Sequence, residues 1–278
     1  MKIASWNVNS IRAREEHIKR WMEDNEPDIL MLQELKADNS DVPAETYEEI
    51  GFSQFINGQK QRNGTAVFYK KESDFNLSSE SVSLPGITDI KEARFQQLTL
   101  QHDSFYKAIT LINIYAPNGN PVEENEPFQK KCDWNRALIN HLRDLLAEEK
   151  PVIIGGDFNV IPQPEDCYDP VHWDGNALFH EKTRAHFREM LFMGLYDAFR
   201  VKHPAEESSY TFWDYQGQAW PQNLGIRIDH FLLSGAMVDR LKSAEIDTTP
   251  RGWKKPSDHT PIVIGLDLDK DRSETLSK

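Results

Sequence analysis

The sequence predicts a layered α/β fold. Short apolar runs typical of buried strands alternate along the chain with longer segments whose apolar residues recur at helical spacing. Strands and helices mixed in this way indicate β-sheets that are covered by helices. The 278 residues contain no repeat of solenoid period and no Pro-rich or Ser-rich linker. We therefore predict one domain over residues 1–268 and a polar C-terminal tail over residues 269–278.

Eight strands are predicted from their apolar content. Six segments have the continuous apolar character of buried strands: Lys2–Asn7, Asp28–Glu34, Ala108–Tyr115, Pro151–Gly155, Ile228–Ser234 and Thr260–Leu266. Two more, Gly64–Tyr69 and Arg94–Leu100, alternate apolar and polar residues, as half-buried strands do.

Three helices are predicted, each with apolar residues on one face. The first runs to about Asn25, the second is ended by Pro151, and the third has Gly194 in the position of a C-terminal cap. The residues that define the three faces are, in chain order, Ile11, Ile18, Trp21 and Met22; Leu138, Leu142, Leu145 and Leu146; Phe187, Met190 and Leu191.

Composition excludes several classes of protein. With 32 Lys and Arg against 45 Asp and Glu, the formal charge is −13, which argues against binding nucleic acid or an anionic membrane by bulk charge. A phosphate substrate at a local site is still allowed if metal ions supply positive charge. Two cysteines, Cys132 and Cys167, exclude a disulfide scaffold and a thiolate zinc cluster. No secretory signal or membrane-length apolar run is visible, so we expect a cytoplasmic protein without a membrane partner.

Polar residues at the strand ends are the most informative pattern. Each is by itself typical of a loop or a helix cap, but six core strands all have them at one end. If these strands share a sheet edge, four carboxylates meet there and need a cation or shared protons. Oxygen ligands without Cys favour Mg²⁺ or Mn²⁺ over Zn²⁺, and a His and a Tyr beside them fit metal-assisted phosphoester hydrolysis. The residues are Asn7, Glu34, Tyr115, Asn118, Asp157, Asn159, Asp229, Asp258 and His259.

Five short motifs occur in a fixed order along the chain. They are Ala4-Ser5-Trp6-Asn7-Val8-Asn9, Leu32-Gln33-Glu34-Leu35-Lys36, Gly155-Gly156-Asp157-Phe158-Asn159, Arg227-Ile228-Asp229 and Pro256-Ser257-Asp258-His259-Thr260-Pro261. In this order they resemble the endonuclease/exonuclease/phosphatase superfamily, and within it the exonuclease III and AP endonuclease family. The resemblance covers residues 1–267 and breaks at Asn9, where some relatives carry Asp, and over the acidic segment 120–127. Similar regions also lie at residues 6–14 and 210–215.

The resemblance implies a DNase I-like four-layer α/β sandwich, in which two packed β-sheets are flanked by helices. It implies hydrolysis of the phosphodiester 5′ to abasic sites in duplex DNA, with 3′→5′ exonuclease and 3′-phosphatase activity. It further implies a monomer with Mg²⁺ as the cofactor, for which Mn²⁺ substitutes. The partner would be duplex DNA with abasic sites or blocked 3′ ends.

By matching positions, the resemblance also implies roles for the residues. Glu34 would be the principal Mg²⁺ ligand with Asn7 beside it, and Asp258 would complete the metal shell. Asp157, helped by Asn159, would orient and deprotonate the attacking water. His259, oriented by Asp229, would touch the scissile phosphate. The predicted metal set is Asn7, Glu34, Asp157, Asn159, Asp258 and His259, and the predicted catalytic set is Tyr115, Asp157, Asn159, Asp229 and His259.

DNA binding is predicted at a separate group of residues. Trp253 lies within a basic cluster directly before the Asp258-His259 motif, which suits contact with the DNA backbone. In the family, the region of Phe212 and Trp213, with the positions of Ile226 and Ile228, lines an apolar pocket for a sugar that lacks its base. The full predicted set is Arg12, Lys36, Asn118, Phe212, Trp213, Ile226, Ile228 and Trp253.

Two other functions fit parts of the sequence. A phosphatase or phospholipase of the same superfamily would act on a phosphoester other than DNA, but the chain lacks an apolar loop that would face a membrane. A DNA-binding relative without catalytic activity would be expected to have lost Glu34, Asp157 or His259, and all three are present. The sequence therefore favours the nuclease.

Overall fold

Two six-stranded β-sheets packed face to face form the centre of the computed structural model, which describes residues 1–88 and 92–269. The strands are β1 (Lys2–Asn7), β2 (Ile29–Gln33), β3 (Phe52–Asn57), β4 (Thr65–Lys70), β5 (Phe75–Ser81), β6 (Phe95–His102), β7 (Ile109–Tyr115), β8 (Val152–Asp157), β9 (Leu195–Asp197), β10 (Asp229–Ser234), β11 (Leu241–Ile246) and β12 (Ile262–Leu266). The first sheet has the order β11-β12-β1-β2-β4-β3, and the second has the order β5-β6-β7-β8-β10-β9.

Helices pack against both sheets. They are α1 (Glu15–Asn25), α2 (Ala44–Glu49), α3 (Glu126–Ala147), α4 (Glu181–Phe192), α5 (Ala198–Lys202) and α6 (Gly235–Val238). The first four cover the outer faces, whereas α5 and α6 contribute Ala198 and Met237 to the core between the sheets. An apolar cluster joins α1 and α2 to the first sheet, and another joins α3 and α4 to the second. A third apolar cluster fills the space between the sheets. The predicted four-layer α/β sandwich is thereby confirmed.

The centre of each sheet is a parallel strand pair. In the first sheet β1 runs parallel to β2, with Asn7 opposite Gln33, and in the second β7 runs parallel to β8, with Tyr115 opposite Asp157. Parallel strands finish at the same edge, so each pair delivers two chain segments to one end of its sheet. The start of β10 reaches the same edge, because Asp229 lies opposite Asp157.

All eight predicted strands and all three predicted helices are present, with bounds shifted by a few residues. The predicted strand Pro151–Gly155 continues to Asp157, so this carboxylate is the last residue of a buried strand and does not follow it. Gly156 allows this close packing, because a Cβ atom there would lie 2.0 Å from the Ile114 carbonyl oxygen. Gly194 follows α4 with a φ of 100°, as expected of a cap.

Four strands and three short helices were not predicted. The strands β3, β5, β9 and β11 are the edge strands of the two sheets, and their partly exposed residues lack a continuous apolar run. The predicted tail lies outside the described residues from residue 270 onward. Within the described part of the chain, no helix has both the length and the apolar character needed to cross a bilayer.

Candidate active site

One asparagine connects the two sheets at the edge where the parallel strands finish. The side-chain amide of Asn7, the last residue of β1, donates to Glu34 Oε2 and to Asp157 Oδ2, both at 3.0 Å. Glu34 directly follows β2 in the first sheet, whereas Asp157 ends β8 in the second. The site is therefore assembled from both sheets.

Glu34 is held as an ionised carboxylate. Burial by itself would raise its pKa, but the hydrogen bond and charge of Lys36, together with the hydrogen bond from Asn7, outweigh burial and lower it. Lys36 Nζ lies 2.7 Å from Glu34 Oε1. The backbone of Glu34 has a φ of 59°, in the left-handed region that few non-glycine residues adopt. The contact between Lys36 and Glu34 was not predicted from the sequence.

His259 and Asp229 form a buried pair beside Asp157. His259 Nδ1 donates to Asp229 Oδ2 at 2.8 Å, and His259 Nε2 lies 3.8 Å from Asp157 Oδ2. Burial would lower the pKa of His259, but the Asp229 carboxylate outweighs burial and raises it to about 10. Burial and the charge of Asp229 raise the pKa of Asp157 to about 7. The His259–Asp229 pair thus holds a protonated imidazole next to the Asp157 carboxylate, which takes up a proton readily.

Two asparagines lie on neighbouring loops beside Asp157. The backbone N–H of Asn159 donates to Asp157 Oδ1 at 2.8 Å, and the Asn159 side chain donates to the Ala116 carbonyl at 2.9 Å. Asn118 is exposed and donates from Nδ2 to Asn159 Oδ1 at 3.2 Å. Asn159 therefore orients the Asp157 carboxylate, while Asn118 reaches the surface where a phosphate can approach.

Tyr115 ends β7 with its ring beneath a guanidinium group. Burial and the charges of Glu34 and Asp157 raise the pKa of its hydroxyl well above the ordinary value, so the phenol stays protonated and can donate. The Arg94 guanidinium lies 4.9 Å from the centre of the ring and donates to the Tyr115 carbonyl at 3.2 Å. Arg94 belongs to the site, although only its strand was predicted.

Asp258 meets the site through Asn9. Asn9 Nδ2 donates to Asp258 Oδ1 at 3.0 Å, and Asn9 Oδ1 accepts a hydrogen bond from Lys36. Arg14 donates to the Asn9 carbonyl at 2.7 Å and to the hydroxyl of Tyr215 at 2.8 Å. Where some relatives carry Asp, Asn9 therefore links a carboxylate to an ammonium group.

A fully buried lysine that the sequence did not indicate lies under the loops. Lys131, on α3, donates from Nζ to the carbonyl of Pro117 at 2.9 Å and to that of Asn159 at 2.7 Å. Burial lowers its pKa to about 7. Its position inside a long amphipathic helix made it look like a surface residue. The lysine fixes the loops that follow β7 and β8 relative to each other.

The predicted DNA-binding residues do not all lie together. The Phe212 ring is half-buried, with its centre 5.0 Å from that of His259. Ile226 and Ile228 are buried in the same apolar cluster as Phe212, whereas Trp213 is buried in a separate cluster with Tyr210 and Ala219. Consecutive residues of an extended segment point to opposite sides, which explains why Phe212 and Trp213 are separated.

The other predicted DNA-binding residues lie at the surface. Arg12 is exposed, and Trp253 packs on α1, where its ring lies 4.5 Å from the Arg20 guanidinium and 5.1 Å from the His17 ring. The structure therefore brings Lys36, Asn118 and Phe212 to the site and places Trp253 against a helix.

The donors at this edge fit a divalent cation of the Mg²⁺ class. Asp157, Asp229 and His259 offer ligand atoms that lie within 4.8 Å of one another. Asp229 Oδ1 is buried and, among the described residues, accepts no hydrogen bond. Glu34 adds a further carboxylate beside this group, held there by the Asn7 amide that donates to both Glu34 and Asp157. Carboxylate and amide oxygens are the preferred ligands of Mg²⁺ and Mn²⁺.

Comparison with known proteins tests the family that the sequence motifs predict. Residues 4–259 match the model of the Endonuclease/Exonuclease/phosphatase family. The chain belongs to this family. It is 30% identical to exodeoxyribonuclease III of Haemophilus influenzae over 269 residues, and this alignment covers 94% of this chain and 98% of that protein. This relative is a nuclease by name, and the acidic cluster of Asp157, Asp229 and His259 could hold a metal ion.

Solved structures of family members superpose over nearly the whole chain. The 3′ phosphatase NExo from Neisseria, solved bound to a product DNA hairpin, has a TM-score of 0.86 at 34% identity over 96% of this chain and 99% of that one. An AP endonuclease from Archaeoglobus fulgidus has a TM-score of 0.83 at 33% identity over 96% and 99%. This family member is accordingly a phosphodiester hydrolase of the exonuclease III and AP endonuclease type.

Proposed function

We propose that the protein is a Mg²⁺-dependent DNA-repair nuclease that hydrolyses the phosphodiester 5′ to abasic sites in duplex DNA and removes nucleotides and phosphates from 3′ ends. The observation that carries the proposal is the contact between the two sheets at the site. Asn7 and Glu34 of the first sheet lie beside Asp157 of the second sheet, and Asp157 lies beside the His259–Asp229 pair. The relatives support the substrate class, since they include an AP endonuclease and a 3′ phosphatase bound to product DNA.

In this proposal, Glu34 and Asn7 hold the metal ion and Asp157, Asn159 and Asp258 complete its surroundings, while the protonated His259 faces the phosphate. When bound, Mg²⁺ would neutralise phosphate charge and make water more acidic, and Mn²⁺ would do the same. Asp157 accepts the proton of the attacking water, because it is the carboxylate that ends β8 beside both Asn7 and His259.

The cationic and neutral donors stabilise the developing charge on the phosphate. His259 is protonated over the whole neutral range, because Asp229 holds its pKa near 10, so its Nε2–H can donate to a phosphate oxygen. The Tyr115 hydroxyl and the Asn118 amide donate from the neighbouring strand end and loop. His259 is fixed by the buried Asp229 and Asn118 contacts the buried Asn159, which limits the reorganisation needed during the reaction.

The test uses two duplexes, one with a single abasic site and one with a recessed 3′ phosphate. We expect both to be processed with Mg²⁺ or Mn²⁺ and neither with EDTA. Glu34→Gln keeps the shape of the side chain but removes its charge, and it should nearly abolish both reactions while the fold remains intact. Glu45→Gln, which removes an exposed carboxylate on α2, is the control and should have wild-type rates.

Near-normal cleavage by folded Glu34→Gln would contradict the metal-ligand role. Turnover of a lipid or small-molecule phosphoester with no action on either duplex would favour the alternative of a phosphatase or phospholipase. The expectation of a cytoplasmic monomer stays a prediction, and light scattering after gel filtration would test the oligomeric state.

A further inference from the structure

A buried polar layer lies between the sheets where the rest of the space is apolar. Ser5, Gln33, Gln96 and Asn113 are at most 2% exposed, and we call them the inter-sheet polar layer. Ser5 and Gln33 belong to the first sheet, and Gln96 and Asn113 belong to the second. Below this layer the space is filled by aliphatic and aromatic side chains of both sheets.

The layer joins the sheets through hydrogen bonds. Gln33 Nε2 donates to Asn113 Oδ1 at 2.8 Å and to Ser5 Oγ at 2.9 Å. Asn113 Nδ2 donates back across the gap to the carbonyls of Leu32 at 3.1 Å and Ala66 at 3.0 Å. Apolar contacts have no preferred direction, so they allow packed sheets to slide slightly, whereas these directional bonds fix one mutual position.

The layer lies directly beneath the active site. Gln33 is followed by Glu34, and Ser5 and Asn113 precede Asn7 and Tyr115 by two residues. At ~3.3 Å per residue along a strand, the layer is roughly 7 Å below the site. A shift of one sheet relative to the other at this depth would be transmitted to the 3.0 Å contact between Asn7 and Asp157.

We propose that Gln33 and Asn113 are positioning residues, which align the metal-ligand half of the site on the first sheet with the water-activating half on the second. The inference rests on the proposed function for the reaction that it affects. Gln33 lies in the motif Leu32–Lys36, and the proposed mechanism gives Gln33 no other role. A buried polar network adds little net stability compared with apolar packing, but it does specify a unique arrangement.

The first experiment measures catalysis in Gln33→Leu, Asn113→Leu and the double variant. We expect kcat on the abasic duplex to fall about 10- to 100-fold, since misplacement by ~1 Å costs that much, while KM stays within about threefold. Because the two residues act as one unit, the double variant should be no slower than the slower single variant.

Two controls separate alignment from stability. Thr65→Val replaces a buried hydroxyl of the first sheet, which has no hydrogen-bond partner among the described residues, and it should leave kcat unchanged. Leu98→Ala opens a cavity in the apolar space between the sheets, so it should lower stability and leave kcat near the wild-type value. If kcat falls as far in folded Leu98→Ala as in Gln33→Leu, the polar layer has no special role.

The second experiment is a crystal structure of the double variant. We expect the distance from Asn7 Nδ2 to Asp157 Oδ2 to lengthen beyond hydrogen-bonding range. An unchanged contact together with an unchanged kcat would overturn the inference. If the wild-type protein cleaved neither duplex, the proposed function would fail, whereas this distance would still decide whether the layer aligns the sheets.

Discussion

The His259–Asp229 pair is the smallest unit whose behaviour can be predicted from its charges. Asp229 gives His259 both its orientation and its positive charge, because the imidazolium is buried and its Nδ1–H donates to the carboxylate. Loss of the imidazole removes the phosphate donor itself, whereas loss of the carboxylate leaves a misoriented donor with a lower pKa.

We therefore expect His259→Ala to lower kcat by about 10² to 10⁴, the usual size of a general acid–base contribution, and Asp229→Asn to lower it less. The pH profile distinguishes the two roles of Asp229. Because Asp229 raises the pKa of His259, Asp229→Asn should lose activity as the pH rises through the neutral range, whereas the wild-type protein should not. Rates measured from pH 6 to pH 9 would check this, and parallel profiles would mean that Asp229 does not set the charge.

Phe212 is the residue best placed to sense a missing base. Its half-buried ring contacts His259 at the site, and the metal ligands see only phosphate, which is alike at every nucleotide. We expect Phe212→Ala to lower incision at abasic sites at least tenfold more than removal of a 3′ phosphate, because only the first reaction needs a pocket that fits a bare sugar.

Phe179→Ala is the matched control for this prediction, since Phe179 is also half-buried and packs on the same apolar cluster. Comparison of the two rates in each folded variant provides the measurement. If Phe212→Ala lowers both reactions equally, its ring supports His259 and does not select the lesion.

At the level of single elements, α3 carries the side chain that holds two loops in place. Lys131 Nζ donates to carbonyls after β7 and after β8, and its stem passes close to Gly119, where a Cβ atom would lie 2.5 Å from Lys131 Cδ. Replacement of the lysine by an apolar residue leaves both carbonyls without their donor.

We expect Lys131→Met to lower the free energy of unfolding by about 1–3 kcal/mol, the typical cost of unpaired buried polar groups. The neighbouring Lys130 is exposed, so Lys130→Met should change the free energy by less than about 0.5 kcal/mol. Urea denaturation of both variants provides the comparison. Equal stability of the two would show that the buried ammonium group does not hold the loops.

The elements that the sequence predicted and those it missed differ in one physical respect. A central strand such as β8 is buried on both faces, so its residues before Asp157 are all apolar or small and the pattern is continuous. An edge strand such as β5 alternates buried and exposed residues at its start and then has several exposed residues in a row, so its sequence resembles that of a loop. The helices α5 and α6 are shorter than two turns and therefore have no periodic face.

The residues of the candidate site also differ in how far the sequence predicts them. Glu34, Asp157 and His259 were predictable because strand ends have recognisable polar motifs. Lys131 and Arg94 were not, since a cation that is buried against carbonyls or over a ring looks in the sequence like any surface charge. The separation of Phe212 from Trp213 depends on which side of the backbone each ring points to, which a motif does not specify.

For the whole molecule, a buried ion network ties the second sheet to the loops around it. Arg227 donates to Asp166 Oδ1 at 2.7 Å and to Asp197 Oδ2 at 2.8 Å, and its Nη1 lies 3.0 Å from His230 Nδ1. Burial and the charge of Arg227 lower the pKa of His230 to about 4. His230 is therefore neutral in the folded protein over the physiological range.

This network predicts how the stability of the fold depends on pH. Because the folded pKa of His230 lies below the unfolded value of about 6.5, the unfolded chain binds the proton more readily as the pH falls. The stabilisation is complete above pH ~6.5 and is lost towards pH ~4, so His230 should contribute a loss of about 2 kcal/mol between pH 7.5 and pH 5. Asp157 and His259, whose folded pKa values are raised, contribute with the opposite sign over the same range.

Urea unfolding of the wild-type protein and of His230→Gln, which lacks the titrating ring, would isolate this contribution at the two pH values. From pH 7.5 to pH 5, the free energy of unfolding of the wild-type protein should fall by about 2 kcal/mol relative to that of the variant. An equal change in both proteins would show that His230 does not contribute to the pH dependence.

The pairing of β1 with β12 has a consequence for the order of events during synthesis. These neighbouring strands of the first sheet come from opposite ends of the domain, and the Trp6 indole N–H donates to the His259 carbonyl across a separation of 253 residues. Contacts of such long range form late in folding, after most of the chain is available. Asn7 and Glu34 leave the ribosome long before Asp229 and His259, so a nascent chain lacks half of its catalytic groups. We expect the nuclease to remain inactive while its chain is still attached to the ribosome, and to become active only when β12 closes the first sheet.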